Sequence, residues 1–225
     1  MSNFYAKPSG DYAIDSFESK ANIAAAYDYL HALGFHDNAI IGMLGNAYAE
    51  SGMNPWLWNG NVYDPAHVAY GLFQFYPGST YINSTWIPGY APNLSTTTTT
   101  AGADPDDAYG QLYAVVNDSL NKWVGTCWGP WSSSDFPDLY AKHTYILNTY
   151  GDGYGITIND FKSIYVYSDA CFAFLACYER PGYPNYLQRL GYCAYIKTVI
   201  DNLNGLDILF MKRFFIDRHF KPLGL

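Results

Sequence analysis

At 225 residues, with 49% hydrophobic and only 14% charged side chains, the chain is long enough to bury a full core and too apolar to be disordered. Twelve Lys and Arg against 20 Asp and Glu leave a net charge of −8, which excludes a global basic footprint for nucleic acid. Aromatic residues make up 19%, 23 tyrosines among them; such a surface suits stacking and hydrogen bonding to uncharged polar ligands, with sugars the obvious class.

The N-terminus, MSNFYAKPSG, lacks the apolar core of a secretory signal. No apolar run of about 18 residues occurs, so neither a spanning helix nor membrane contact is expected. The four cysteines, Cys127, Cys171, Cys177 and Cys193, read as buried thiols rather than a disulfide framework or a metal site.

In chain order, Ile23, Ala26, Tyr27 and Leu30 give helical spacing over 17–33, closed by Gly34. A second helix follows over 37–52. Asp37 caps it, Ile40, Ile41, Leu44, Ala47 and Tyr48 form its stripe, and Gly52 ends it. Gly42 and Gly45 inside it cost about 1 kcal/mol each relative to Ala, and they let another backbone or a ligand come close. Residues 53–104 read as irregular, with short strands near 61–63 and 70–75. The Ser-Thr run at 95–100 reads as an exposed loop. Asp104 and Pro105 then open a helix to about 123, and 126–140 is a Trp-, Pro- and Ser-rich loop. Helices follow near 139–150, 159–167 and 169–179, and from about 184 to 204, where Gly205 stops the last of them. The class is α+β, mainly α, with a small β or loop wing. Residues 205–225 form a separate amphipathic, cationic segment after a domain of 1–204. Its readings are a docked terminal helix or a site for a partner or membrane surface.

The chemistry concentrates in residues 45–80. Glu50 falls in the last turn of the second helix, whose negative dipole end disfavours a carboxylate. Met53, Trp56 and Trp58 add bulk that excludes water. Both effects favour the protonated acid, the form needed to protonate a leaving glycosidic oxygen. Ser51 is placed to orient Glu50, and no nucleophile elbow surrounds it. No Walker A loop and no H-E-x-x-H motif occur, so no cofactor and no metal are expected.

Glu50-Ser51-Gly52-Met53-Asn54-Pro55, then Gly71-Leu72-Phe73-Gln74, then Pro77-Gly78-Ser79-Thr80 resemble the pattern of soluble lytic transglycosylases and goose-type lysozymes. Gly45-Asn46-Ala47-Tyr48-Ala49-Glu50-Ser51-Gly52 is closer still to the phage tail lysozymes. The resemblance implies a lysozyme-like fold whose small wing flanks a cleft, with Glu50 as general acid. It puts Gly71 to Gln74 on a small β element across the cleft, with Gln74 facing the sugar. Ala176-Cys177-Tyr178-Glu179-Arg180-Pro181 stands where the family carries an aromatic helix end. There Tyr178 would hydrogen-bond Glu50 or the substrate, while Glu179 and Arg180 read as a structural ion pair.

A second carboxylate is offered by Asp64, 14 residues after Glu50. It would hold a water or stabilise an oxocarbenium ion; equally, Asp64-Pro65 simply starts a turn. Without it, the substrate's own N-acetyl group or C6 hydroxyl takes over. Trp56, Trp58, Tyr63, Tyr70, Tyr76 and Trp86 read as a sugar-stacking surface, with Trp58 and Tyr70 foremost, or as padding of a loop-rich core.

The expected activity is cleavage of the β-1,4 bond between N-acetylmuramic acid and N-acetylglucosamine in bacterial peptidoglycan, by a phage tail-associated lysin or an endolysin. The cationic tail then offers an attachment point to other virion proteins, or a route to a homo-oligomer. The rivals are a lytic transglycosylase, a chitinase and a non-catalytic wall-binding protein that keeps the lysozyme shape.

Overall fold

A computed structural model describes residues 4–7, 10–61, 67–76, 107–117, 133–179 and 181–219, with the side chains of the last helix described as far as residue 205. It is a helical assembly of α1 (Phe17–Ala32), α2 (Asp37–Ser51), α3 (Asp107–Asn117), α4 (Pro137–Tyr150), α5 (Ile158–Lys162), α6 (Tyr167–Phe174) and α7 (Tyr186–His219). The first two helices begin and end within a residue or two of where their spacing placed them. Ser16 caps α1 by accepting from the Ser19 amide, and Gly52 ends α2 in the left-handed conformation at φ 54°. The N-cap of α2 is His36 rather than Asp37; its imidazole accepts from the Asn38 amide, and Asp37 instead accepts from the Tyr27 hydroxyl at 3.0 Å.

Helix α2 is the central element. Eleven of its residues are buried, and it packs against both α6 and α7. The two internal glycines make this approach possible. A Cβ on Gly42 would lie 2.5 Å from the backbone carbon of Ala170, and one on Gly45 would press into the sulfur of Cys193. Helix α6 is buried from Asp169 to its end and runs on into a wider π turn, Leu175–Glu179. Cys171, Cys177 and Cys193 are free, buried thiols, as their apolar setting implied; Cys127 lies outside the described residues.

Two buried amides tie the N-terminal strap to the segment after α2. Asn22 accepts from the Tyr5 amide and donates to the carbonyls of Tyr5 and Met53. Asn54, the Asn of the E-S-G-M-N-P motif, donates to Lys7 and Gly10 and accepts from the amides of Lys7 and Trp56. On the opposite side, Asp169 of α6 gathers Lys142 at 2.8 Å, Tyr150 at 2.9 Å and Tyr145 at 3.2 Å from α4. Burial, reinforced by this carboxylate, pushes the Tyr150 phenol well above its ordinary range.

Two expectations change. Among the described residues there is no strand. The anticipated β wing is reduced to isolated bridges, Trp58 with Tyr70 and Tyr70 with Phe75. The chain reverses at once, with Gly71 at φ 84° and Gln74 at φ 46°, and this leaves no extended run for a ladder. The stop expected at Gly205 is also absent: α7 runs through it to His219. A single glycine costs a helix only about 1 kcal/mol, less than the cooperative gain of the turns on either side. Asp104, Pro105, the 95–100 run and the 118–132 part of the expected helix end and loop lie outside the described residues. Among the described residues no helix is long and apolar enough to cross a membrane.

The glycine contacts are testable by a matched pair. Gly42→Ala should lower stability by about 2 kcal/mol, because backbone rather than a flexible side chain must move. Gly191→Ala, on an exposed face of α7 with nothing near its Cβ, should raise it by about 0.5–1 kcal/mol. Urea midpoints of the two variants against the parent protein check both signs.

Candidate active site

Glu50 is the penultimate residue of α2, with its side chain 21% exposed. Its partner is Arg189. The guanidinium Nη2 donates to Glu50 Oε1 in an ion pair, and Arg189 itself is only 7% exposed. Each charge sits at the wrong end of its own helix: Glu50 at the C-terminus of α2, Arg189 in the first turn of α7. Facing each other, they compensate. The second guanidinium nitrogen, Nη1, donates to Asn46 Oδ1 at 3.1 Å. Asn46, one turn before Glu50, is buried and donates to the carbonyls of Gly42 at 2.8 Å and Cys171 at 3.0 Å. The Asn of the G-N-x-x-x-E-S-G motif is therefore the anchor of the cation that faces the Glu. The sequence reading of Glu50 weighed a helix end and apolar neighbours, and it included no cation. Arg189 is the partner which that reading lacked.

Ser51 is fully buried. Its hydroxyl lies 3.0 Å from the carbonyl of Ala47 and 3.1 Å from that of Leu72, so it joins the end of α2 to the Gly71–Gln74 turn. Gln74 is half-buried. Its amide donates to the carbonyls of Leu57 at 3.2 Å and Gly71 at 2.9 Å, bracing its own turn. The aromatic candidates are mostly core. Trp58 and Tyr70 are buried with ring centroids 4.3 Å apart. Tyr178 is buried against Phe174 at 4.9 Å and Phe73 at 6.4 Å. Trp56 is buried too, and Tyr76 is exposed. The padding reading therefore describes Trp56, Trp58 and Tyr70 better than the stacking one. Asp64, Tyr63, Trp86 and Arg180 lie outside the described residues.

Three features escaped the sequence reading. One is Arg189. A second is Gln111 of α3, fully buried, which accepts from the Leu72 amide at 2.6 Å and donates to the Pro55 carbonyl at 2.8 Å. It fastens the turn to the segment after Glu50. Gly71 is required beneath it, because a Cβ there would strike the Gln111 amide. The only sequence signal was a polar residue on the apolar face of a predicted helix. The third is a groove of about 620 Å³ where the start of α4 meets the start of α7, lined by Phe136, Lys142, Tyr183, Asn185 and Gln188 among others. Tyr183, 65% exposed, stands edge-on to Phe136 at 5.8 Å. Gln188 in this lining immediately precedes Arg189.

A sequence model of the phage tail lysozymes matches residues 21–199. The chain belongs to the phage tail lysozyme family. That span runs from α1 into α7 and includes Asn46, Glu50, the Gly71–Gln74 turn and Arg189. A shorter likeness is to Morphogenesis protein 1 of Bacillus phage B103, 36% identical over 66 residues, which is 29% of this chain and 18% of that protein. The family makes this a lysozyme-like, phage-related protein.

The brace between the wing and α3 yields a stability test. Gln111→Met keeps the volume but strands a buried N–H and a buried carbonyl, which should cost about 3 kcal/mol for the two. Gln111→Glu retains the acceptor for Leu72 but turns a carboxylate toward the Pro55 carbonyl in a buried site, so its urea midpoint should fall at neutral pH and recover towards the parent's as the carboxyl is protonated at lower pH.

Proposed function

We propose that the protein is a peptidoglycan-cleaving glycosidase in which Glu50 is the general acid, acting on the β-1,4 bond between N-acetylmuramic acid and N-acetylglucosamine. The observation that supports this most is the position of Glu50 in a phage tail lysozyme. It is a partly exposed carboxyl at the end of the central helix α2, tied through Ser51 to the Gly71–Gln74 turn. The protonated Glu50 gives its proton to the glycosidic oxygen as the bond from that oxygen to C1 breaks and the oxygen keeps the bonding pair. The resulting oxocarbenium-like centre takes a water at C1, and the water's proton returns to a carboxylate. Asp64 is our candidate to hold that water, and Tyr178 to support the acid. Where the C6 hydroxyl adds in place of water, the same first step gives a lytic transglycosylase and a 1,6-anhydro product.

The groove walled by Tyr183 and Phe136 offers aromatic faces and amide hydrogen-bonding groups to a sugar strand beyond the cleaved bond. A net charge of −8 slows encounter with walls that carry anionic polymers. This favours delivery by a virion, with other tail proteins as partners, over free diffusion as an endolysin.

Mass spectrometry of digested peptidoglycan tests the reading. The parent protein should release fragments that gain one water per cut, and Glu50→Gln should reduce release by about 10²-fold or more. Anhydro fragments in place of hydrated ones would select the transglycosylase. Equal yields from the parent and Glu50→Gln would remove Glu50 from the chemistry.

A further inference from the structure

We propose that Arg189 is a positioning residue for Glu50. With Asn46 it fixes the carboxyl in one orientation and sets a cation directly against it, so that one side chain both aims the acid and opposes its protonation. This rests on the reading of Glu50 as the general acid. The geometry supports it from three sides. The cation is almost fully buried, so it is not a solvated surface charge that has settled on the nearest carboxylate. Its second arm is anchored on Asn46, whose own amide is fixed by two backbone carbonyls. And it stands in the first turn of a helix, where a cation is disfavoured unless something opposite requires it.

The pair lies between α2 and α7. Cys171 of α6 has its sulfur 3.9 Å from the Asn46 amide nitrogen. Cys193 of α7 is pushed up by burial and by Cys171, with Arg189 pulling the other way, so its thiol stays neutral. Tyr178 and Glu179 belong to the π turn after α6, and Asp169 of α6 is paired with Lys142. Asp11 lies against Gly52, just beyond the end of α2. Glu18 of α1 bears on Tyr12. Tyr27, His31 and Asp37 cluster at the opposite end of α2, and Asp160 of α5 closes its own capping box with Thr157. Among the described residues, Arg189 is the cation paired with Glu50.

The test is the pH dependence of wall digestion by the parent, Arg189→Met, Arg189→Lys and Glu50→Gln, with melting curves to establish folding. A general acid fails as pH rises past the point where it loses its proton. Removing a facing cation makes that loss harder, so the alkaline limb of Arg189→Met should move up by about 1 pH unit or more. Its plateau rate should fall, because the carboxyl is no longer oriented. Arg189→Lys keeps the charge but has one donor head where two arms are needed. Its limb should stay near the parent's while kcat falls at least about fivefold and KM changes less than twofold. If Arg189→Met does not fold, Arg189→Lys carries the test alone. An unmoved limb in a folded Arg189→Met, or an unchanged kcat in Arg189→Lys, overturns the proposal while Glu50→Gln remains inactive. Activity retained in Glu50→Gln is a different failure: it removes the general-acid reading itself.

Discussion

Helix α2 is held on two sides, by α6 and by α7, at a separation that leaves no room for a methyl group at residues 42 or 45. The rest of the site depends on this close approach. Because the backbones nearly touch, the Asn46 side chain spans from its own helix to the Cys171 carbonyl. Because α7 passes just as near, the first-turn Arg189 reaches both Asn46 and Glu50. Ala at either glycine would force the helices apart, and hydrogen bonds of about 3 Å have little tolerance for that. The glycines that weaken α2 as an isolated helix are what let it serve as the spine of the site.

The second constraint is the fastening of the wing. Turn 70–75 contributes no ladder, so its conformation is set from outside. Ser51 holds its Leu72 carbonyl, Gln111 holds its Leu72 amide, and Gln74 holds its own backbone and that of Leu57. Three side chains replace the strand pairing that a β wing would have supplied. Ser51 and Gln111 serve the two backbone groups of Leu72 from outside the turn, while Gln74 adds a second donor to carbonyls that already accept from backbone amides. The position of this turn relative to Glu50 is therefore as fixed as that of a sheet.

How much of this was legible beforehand follows the range of the interactions. The ends of α1 and α2, the Gly52 cap and the motif around Glu50 are local, and the sequence carried them in spacing and in residue type. The Arg189–Glu50 pair spans 139 residues and the Gln111–Leu72 bond spans 39; no spacing rule reaches that far. The aromatics around residue 58 were ambiguous because composition does not say which side of a ring faces water. The structure places Trp58 and Tyr70 inside. The run of α7 through Gly205 shows the reverse error, a local stop signal outweighed by the helix on either side of it.

Asn46 also has a meaning in terms of what could replace it. Its amide works as an adaptor with two unlike faces: the nitrogen serves carbonyl oxygens of two helices, and the oxygen serves a cation. Aspartate, nearly identical in shape, would present an oxygen to two carbonyls and repel both. Leucine would serve neither face, and glutamine is one methylene too long for the gap that Gly42 and Gly45 permit. The residue one turn before the acid is thus selected by the polarity of its two ends more than by size. Deamidation there, a chemical change of a single atom group, would undo the seam between α2 and α6 without altering the volume of the core.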